Sequence, residues 1–267
     1  MATVKEIESF LFSKAPREIA MEWDNVGLLV GFPDKEVKKI LVALDITEEV
    51  VNEALKAGAE LIVSHHPVMN CAWEKVQTVR ADTVQGNILI RMLTAGVSGI
   101  CMHTNLDAVD GGVNDALARR LGLTDIEQLH LDGVDTEGRP YGIGRVGKVD
   151  GFADARAFSA FIRQALEADG LRFEDAGKPV GKVAVGGGAC GGMLSDAAAK
   201  GCDTFVTADG KYDVFLTARA MGINLIDAGH FSTENVVCPV LVEWLESAFP
   251  QICVIRSVRH KEVFSCL

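Results

Sequence analysis

The sequence lacks the paired cysteines that a disulfide framework or a thiolate zinc site requires. Its cysteines are odd in number, and none belongs to a C-x-x-C pair: they are Cys71, Cys101, Cys190, Cys202, Cys238, Cys253 and Cys266. This pattern favours reduced thiols in a reducing compartment. The sequence also lacks an uninterrupted apolar run that could span a bilayer. Acidic residues interrupt the apolar positions of its N-terminal segment, which therefore does not resemble a signal peptide. We therefore expect a cytoplasmic protein without a membrane partner.

Clusters of lysine and arginine are also missing. The net charge is -11 at pH 7, whereas binding to a nucleic acid polymer rests on clustered positive charge. We therefore expect no nucleic acid partner, although a locally positive pocket for a small phosphate is compatible with this charge balance. The chain does have an ordinary globular composition, with 48% hydrophobic and 24% charged residues over 267 positions. This length suits one large domain or two compact lobes.

Strand-like and helix-like segments alternate in the first half. The predicted elements are, in order, a strand over 39–45, a helix over 47–57, a strand over 60–64, a helix over 82–95 and a strand over 97–103. Thr47 is suited to cap the first helix and Gly58 to end it. Such alternation predicts parallel strand pairing in an α/β layer.

The second half repeats this plan. Lys39 aligns with Lys182, an offset of 143, and the alignment of 28 residues from there needs no gap. His66 then corresponds to Asp209. The alternative is that any two strand–helix–strand units share this pattern. Under duplication, the carboxyl ends of the strands in the two halves face each other, where open α/β sheets bind ligands. With the junction within 125–140, we expect lobe 1 to comprise 1–127 plus 236–267, and lobe 2 to comprise 128–235.

Two adjacent histidines, His65 and His66, come directly after the predicted strand at 60–64. Pro67 biases His66 towards an extended backbone, so the two imidazoles diverge and can reach different ions. A single buried histidine is usually a hydrogen-bonded core residue, and this is the alternative interpretation here. Two in succession at a strand end, with carboxylates at other strand ends, favour a metal site.

Further ligand candidates lie after later strands. Asp107 closes the segment HTNLD, and Glu234 lies four residues after His230, near the start of the helix that includes 240–245. An isolated carboxylate there could instead stabilise that helix N-terminus. Three imidazoles and two carboxylates exceed the needs of one tetrahedral zinc and suit two ions that share a bridging group. Nitrogen and oxygen ligands without sulfur fit Zn, Mn or Fe, so we expect two divalent ions of this class.

Other features are weaker candidates. His103 is expected to act as a proton shuttle or to support a ligand, rather than to bind metal itself. His130 and His260 lie in polar contexts and are expected on the surface. The glycine-rich run 186–192 joins a strand to a helix, as phosphate-binding loops do, but it matches the spacing of neither the P-loop nor the G-x-G-x-x-G motif. Close backbone packing is therefore at least as good an explanation of these glycines. Trp23 could belong to the core or line the cleft.

Five segments in order resemble one known family. They are EWDNVGLLVG (22–31), SHHP (64–67), HTNLDA (103–108), VTAD-GKYD (206–213) and DAGHFSTE (227–234). Together they are similar to the Nif-three-like family, whose members are often labelled GTP cyclohydrolase 1 type 2 homologues. The resemblance spans nearly the whole chain, and it is to the compact form of the family, which has no inserted middle domain.

This resemblance implies a two-lobed α/β fold, with two pseudo-repeated strand-helix-strand layers and a dinuclear metal site between the lobes. It places the metal ligands on His65, His66, Asp107, His230 and Glu234. It also implies a toroidal homohexamer built as a trimer of dimers. Many relatives have a glycine where this chain has Ala208, and often a histidine where it has Asp213. Metal binding is expected to survive these departures, whereas a substrate contact through this loop is not carried over.

Three functions are compatible with such a site. The family label favours a metal-dependent hydrolase acting on a nucleotide-like or cyclic amide small molecule, with His103 as the candidate catalytic residue. The first alternative is a storage, delivery or chaperone protein for metals without turnover. The second is a regulatory scaffold whose metals are structural. No residue set in the sequence is typical of guanine or triphosphate recognition, so the resemblance does not by itself define the substrate.

Overall fold

The computed structural model describes residues 2–70 and 75–267, so Cys71 lies outside the described residues. The strands are β1 (Ala2–Thr3), β2 (Gly27–Val30), β3 (Glu36–Val37), β4 (Lys39–Ala43), β5 (Leu61–Ser64), β6 (Ser98–Cys101), β7 (Thr124–Gln128), β8 (Gly133–Val134), β9 (Pro140–Tyr141), β10 (Arg145–Phe152), β11 (Arg172–Glu174), β12 (Val180–Val185), β13 (Thr204–Thr207), β14 (Asn224–Asp227) and β15 (Cys253–Arg256). The α-helices are α1 (Val4–Lys14), α2 (Glu48–Ala57), α3 (Val84–Ala95), α4 (Thr104–Ala108), α5 (Val113–Arg120), α6 (Ala155–Ala165), α7 (Leu194–Ala199), α8 (Tyr212–Met221), α9 (His230–Glu234) and α10 (Cys238–Ala248). Short 3-10 segments cover Arg17–Ile19, Gly191–Met193 and Asn235–Val237.

The chain forms two compact units. The first comprises Met1–Leu106 and Cys238–Lys261, and the second comprises Asp107–Val237 and Glu262–Leu267. The first boundary therefore lies earlier in the chain than the expected one after residue 127. The reason is that α5 packs in the core cluster of the second unit and that β7 pairs with β10 in its sheet. The last residues of the chain also belong to the second unit and not, as expected, to the first.

The first unit is built on a five-stranded sheet in the order β15-β4-β5-β6-β2. β15, β4, β5 and β6 run parallel, and β2 is antiparallel to β6. The predicted strand–helix–strand pattern is confirmed, including its caps. The Thr47 hydroxyl accepts a hydrogen bond from the Val50 backbone N–H (3.3 Å), and Gly58 ends α2 with φ +69°. Apolar residues of α2 and α3 pack on the sheet to form the core.

The second unit contains a six-stranded sheet in the order β11-β14-β13-β12-β10-β7. Its central strands β12, β13 and β14 are parallel, as are β4, β5 and β6 in the first unit. The predicted offset places β5 on β13 residue for residue. It places α2 on the 3-10 turn at Gly191–Met193 together with α7, which follows that turn. The two halves therefore share one local plan, as the alignment predicted.

The candidate residues lie just after the carboxyl ends of these parallel strands. His65 and His66 come directly after β5, and His103 comes after β6. In the second unit, Asp209 comes after β13 and His230 comes after β14. Parallel strands in register end at one edge of a sheet, which gathers the side chains just beyond them. Within the described residues, no helix combines the length and the apolar character needed to cross a membrane.

Candidate metal centre

Three histidines meet at the strand ends of the first unit. One ring nitrogen from each of His65, His66 and His103 lies within 4.8 Å of the others, so this group could hold a metal ion. β5 and β6 are neighbours in parallel register, with Ser64 opposite Cys101, which explains why the residues after them converge. All three side chains are largely buried. The structure therefore joins His103 to the pair that the sequence singled out.

Hydrogen bonds fix which nitrogen the two adjacent histidines present. Nδ1 of His65 lies 2.9 Å from the carbonyl oxygen of Met102. A carbonyl oxygen only accepts, so Nδ1 carries the proton and Nε2 of a neutral ring keeps its lone pair. Nδ1 of His66 lies 2.7 Å from Oδ1 of Asp45, which has the same consequence. Metal-binding histidines are commonly oriented in this way, with the second nitrogen held by a carboxylate or a carbonyl.

Asp45 connects His66 to a further histidine. Nε2 of His260 lies 3.1 Å from Oδ2 of Asp45, and the His260 side chain is only 6% exposed, so the expectation of a surface residue is wrong. The Ser257 hydroxyl accepts the backbone N–H of His260 and donates to Glu53, which turns the chain after β15 back towards the sheet. Burial alone would raise the pKa of Asp45, but the hydrogen bond from His66 and the nearby imidazoles hold it below its usual value.

A second carboxylate holds His103. Nδ1 of His103 lies 2.8 Å from Oδ1 of Asp24, whose other oxygen accepts the backbone N–H and the hydroxyl of Thr104. Burial would raise the pKa of Asp24, but the hydrogen bonds from His103 and Thr104 lower it to about 2. Trp23 is 42% exposed, and its ring centroid lies 5.9 Å from that of His103. Trp23 therefore flanks the histidine group and does not fill the core.

His230 and Glu234 form a pair in the second unit. They lie four residues apart on α9, with Nε2 of His230 3.0 Å from Oε2 of Glu234. Nδ1 of His230 lies 2.6 Å from Oδ2 of Asp209, so a neutral ring turns its lone pair towards the carboxylate. When a nitrogen and an oxygen bind the same ion at about 2.1 Å each, with an angle of roughly 90° at the ion, these two atoms lie about 3.0 Å apart. The spacing of the pair thus fits a shared metal.

Glu234 occupies a different place in its helix from the expected one. It ends α9, and a 3-10 turn separates it from α10, so it does not stabilise the N-terminus of the longer helix. Pro239 lies in the first turn of α10, as expected. Glu234 is 4% exposed. A divalent cation bound by Glu234 and His230 together would stabilise this buried carboxylate.

The glycine-rich loop explains how Glu234 is accommodated. Gly188 has φ +65°, and a Cβ there would overlap Oε1 of Glu234 and lie 2.9 Å from its Cδ. The Gly188 backbone N–H donates to the hydroxyl of Thr233 (3.0 Å), and its carbonyl accepts from Thr207 and Ala208. Close backbone packing, the alternative to a phosphate loop, is therefore what this segment does.

Asp107 is held by its backbone beside the same loop. The Asn114 side chain donates to the Asp107 carbonyl (2.9 Å) and accepts the backbone N–H of Gly187 (2.9 Å). A carboxylate oxygen of Asp107 lies within 4.8 Å of one from Glu234. Burial, together with these two acids, raises the pKa of the Cys190 thiol well above its usual range. Within the described part of the chain, the groups that could hold a metal ion consist of histidine, aspartate and glutamate and include no cysteine.

Sequence reasoning missed the carboxylates that orient the histidines. Asp24, Asp45 and Asp209 each accept from Nδ1 of one histidine, yet none was singled out as a site residue. Each had a signal. Asp24 lies in the segment EWDNVGLLVG, Asp45 comes after β4 at the same sheet edge, and Asp209 aligns with His66 in the internal repeat. The ligand set divides between the units, with His65 and His66 in the first and the other three in the second.

Comparison with known proteins agrees with these features. A model of the family described as Duf34/NIF3 (NGG1p interacting factor 3) matches residues 2–262. A Clostridium perfringens protein named GTP cyclohydrolase 1 type 2 homolog is 34% identical over 241 residues, covering 90% of this chain and 88% of that protein. A Streptomyces coelicolor protein of the same name is 37% identical over 242 residues, covering 89% and 84%.

The fold is matched equally well. The crystal structure of a Staphylococcus aureus hypothetical protein superposes with a TM-score of 0.90 and 30% sequence identity, covering 99% of both chains. The match to the family model extends through each of the five segments on which the resemblance was based. The resemblance and the α/β fold expected from the sequence are confirmed, and the chain belongs to the Duf34/NIF3 family.

Proposed function

We propose that this chain is a dinuclear metal-dependent hydrolase that acts on a nucleotide-like or cyclic amide small molecule. The ligands in this proposal are His65, His66, Asp107, His230 and Glu234. One observation carries it: each of the three histidines engages Nδ1 with an oxygen acceptor and so directs Nε2 away from that bond. Metal-binding histidines are commonly held in this way, and Asp24 holds His103, the histidine beside them, by the same kind of contact.

The donor set supports two divalent ions of the Zn, Mn or Fe class. Imidazole nitrogens and carboxylate oxygens suit these metals, and no cysteine belongs to the candidate ligand groups of the described residues. A pair of such ions, when bound, supplies a hydroxide at neutral pH and polarises the group it attacks. His66 is oriented by Asp45, and His230 is oriented by Asp209, so both rings are prepared before an ion arrives.

His103 is the residue that we propose to move a proton during the reaction. Asp24 fixes its Nδ1, so Nε2 is the atom that accepts or gives the proton. Its ring lies 5.1 Å from that of His65, close to the proposed metals. The half-exposed Trp23 beside it offers an apolar face to a planar substrate. The name of the curated relatives, GTP cyclohydrolase 1 type 2 homolog, favours hydrolysis of a nucleotide-like ring.

The experiment uses full-length protein purified without a histidine tag. Metal content is measured first, and the same sample is screened against GTP, cyclic amides and phosphoesters. We expect turnover that a chelator abolishes and that one added metal restores. Bound metal without any turnover, together with transfer to an apo acceptor protein, would instead support metal storage or delivery. Retained activity in fully metal-depleted protein would contradict the proposal.

We further propose that the chain works in the cytoplasm as a homo-oligomer, a hexamer by family resemblance. The thiol state of Cys190, Cys202, Cys238, Cys253 and Cys266 is consistent with a reducing compartment. A small molecule is the proposed partner, and no nucleic acid or membrane is required. Light scattering coupled to size-exclusion chromatography gives the mass in solution directly. A monomer at micromolar concentration would contradict the hexamer and leave the metal proposal to be judged separately.

A further inference from the structure

A cavity of about 730 Å³ lies in the second unit. Its volume is in the range of pockets that bind small molecules. Helix α6 contributes Arg156 and Arg163, and β11 contributes Arg172. Arg156 and Arg163 are seven residues apart, which places them on one face of α6. Three guanidinium groups therefore border one cavity in a chain whose net charge is -11.

The acidic residues of this wall already have partners. Asp227 binds the guanidinium of Arg172 and accepts the backbone N–H of Gly210 (3.0 Å). Asp209 accepts from His230, and Asp169 accepts a backbone N–H (2.6 Å). These contacts occupy the carboxylates and pair one of the three arginines. Asp169 and Asp209 keep their negative charge, and the two arginines on α6 are the guanidiniums of the wall that no carboxylate of the described residues contacts.

Arg156 and Arg163 have no carboxylate partner among the residues that the structure describes. The Arg156 guanidinium carbon lies 5.3 Å from the centroid of the Phe173 ring, and Arg163 donates to the carbonyl oxygen of Asp169 (2.9 Å). Neither contact neutralises a charge. A guanidinium that an aromatic ring or a carbonyl holds in place is well prepared to bind an oxyanion, since its remaining N–H groups form a planar fork.

Small residues separate the two arginines on the cavity wall. Ser159 and Ala160 lie between them on α6 and line the same cavity. Ser159 is 3% exposed, and its hydroxyl makes no hydrogen bond to another described residue. Buried hydroxyls usually have a partner. A bound oxyanion at this wall would provide an acceptor for that hydroxyl.

We propose that this cavity binds a small molecule through a phosphate or carboxylate group, with Arg156 and Arg163 as the main contacts. Asp209 and Gly229 also line the cavity, and Asp209 holds Nδ1 of His230. The bound molecule would therefore lie beside one of the proposed metal ligands. The idea that this molecule is the substrate rests on the proposed function. Its binding in the cavity is independent of that function.

The test is a calorimetric titration with phenyl phosphate and with benzoate, which separates the two kinds of oxyanion. We expect saturable binding of at least one probe to the wild-type chain. The double variant Arg156→Gln/Arg163→Gln should bind it about tenfold or more weakly, because charge-assisted hydrogen bonds are lost. Lys148→Gln removes a charge from an exposed position of the same unit and should bind like wild type. Arg156→Lys/Arg163→Lys, which keeps the charge, should bind more tightly than the glutamine variant.

A metal-ligand variant separates this proposal from the previous one. His65→Ala removes a proposed metal ligand of the first unit. This variant should still bind the probe if the probe binds in the cavity, whereas a probe held by the metals would be lost. Absence of saturable binding to wild type, or unchanged affinity in the folded double glutamine variant, would overturn the proposal. Melting temperatures establish that each variant is folded. If the chain contained no metal or showed no turnover, the proposed function would fail, and these titrations would still decide whether the cavity binds an oxyanion.

Discussion

Replacing Gly188 by alanine tests how the glycine-rich loop holds Glu234. An alanine would adopt φ +65° and would also place its Cβ on Oε1 of Glu234. The left-handed backbone costs about 1 kcal/mol for a residue with a Cβ. The overlap adds an overpacking cost of about 1–3 kcal/mol, because Glu234 is buried and its helix leaves it little room to withdraw. We therefore expect Gly188→Ala to lower the free energy of unfolding by about 2–4 kcal/mol.

Gly201→Ala is the matched control. Gly201 has nearly the same backbone angle, φ +70°, but nothing lies within 4 Å of the position that its Cβ would take. This variant carries the backbone cost and the unfolded-state entropy change, without the overlap. Urea unfolding of both variants isolates the contribution of Glu234, and elemental analysis shows whether metal is lost with it. Equal unfolding free energies and equal metal content in the two variants would refute the reasoning.

Further predictions concern single side chains. Asp45→Asn should weaken metal binding about 10–100-fold while the fold is kept, because His66 loses the carboxylate that orients it; unchanged affinity in a chelator competition would count against this role. His103→Gln should retain the metals and slow any hydrolysis, and unchanged rates would return His103 to a structural role. Burial raises the pKa of Cys202 to about 11, so its thiolate is about one part in a thousand at pH 8 and rises tenfold per pH unit. Iodoacetamide at pH 8, followed by peptide mass spectrometry, should therefore label the exposed Cys253 and Cys266 well before Cys202; equal labelling would contradict the burial of Cys202.

The sequence carried enough information to predict the local plan of both halves. Apolar runs that end in polar clusters marked the parallel strands, and Thr47 and Gly58 marked both ends of α2. The ungapped repeat placed β13 correctly from β5. These features are local or periodic, so they can be recognised without knowing which segments meet. The metal ligands were predicted on the same basis, from the polar residues just beyond each strand, and their role stays a prediction.

The partners of those ligands depend on distant parts of the chain. Asp24 reaches His103 across 79 residues, and Asp45 reaches His66 across 21 residues. No local pattern distinguishes such an aspartate from one on a solvated turn. His260 was misplaced for the same reason, since the fold of the chain after β15 brings it to Asp45. The units divide the chain earlier than predicted because α5 and β7 belong to the second unit, and the sequences of these two elements do not state which sheet they join or cover.

Metal content per chain tests the central claim most directly. Elemental analysis of tag-free protein should give about two divalent ions per wild-type chain. His65→Ala and His230→Ala should each lose metal while remaining folded, because the α/β cores do not depend on these side chains. His130→Ala removes a half-exposed histidine outside the proposed ligand set and should keep the wild-type content. Wild-type metal content in both His65→Ala and His230→Ala would contradict the account.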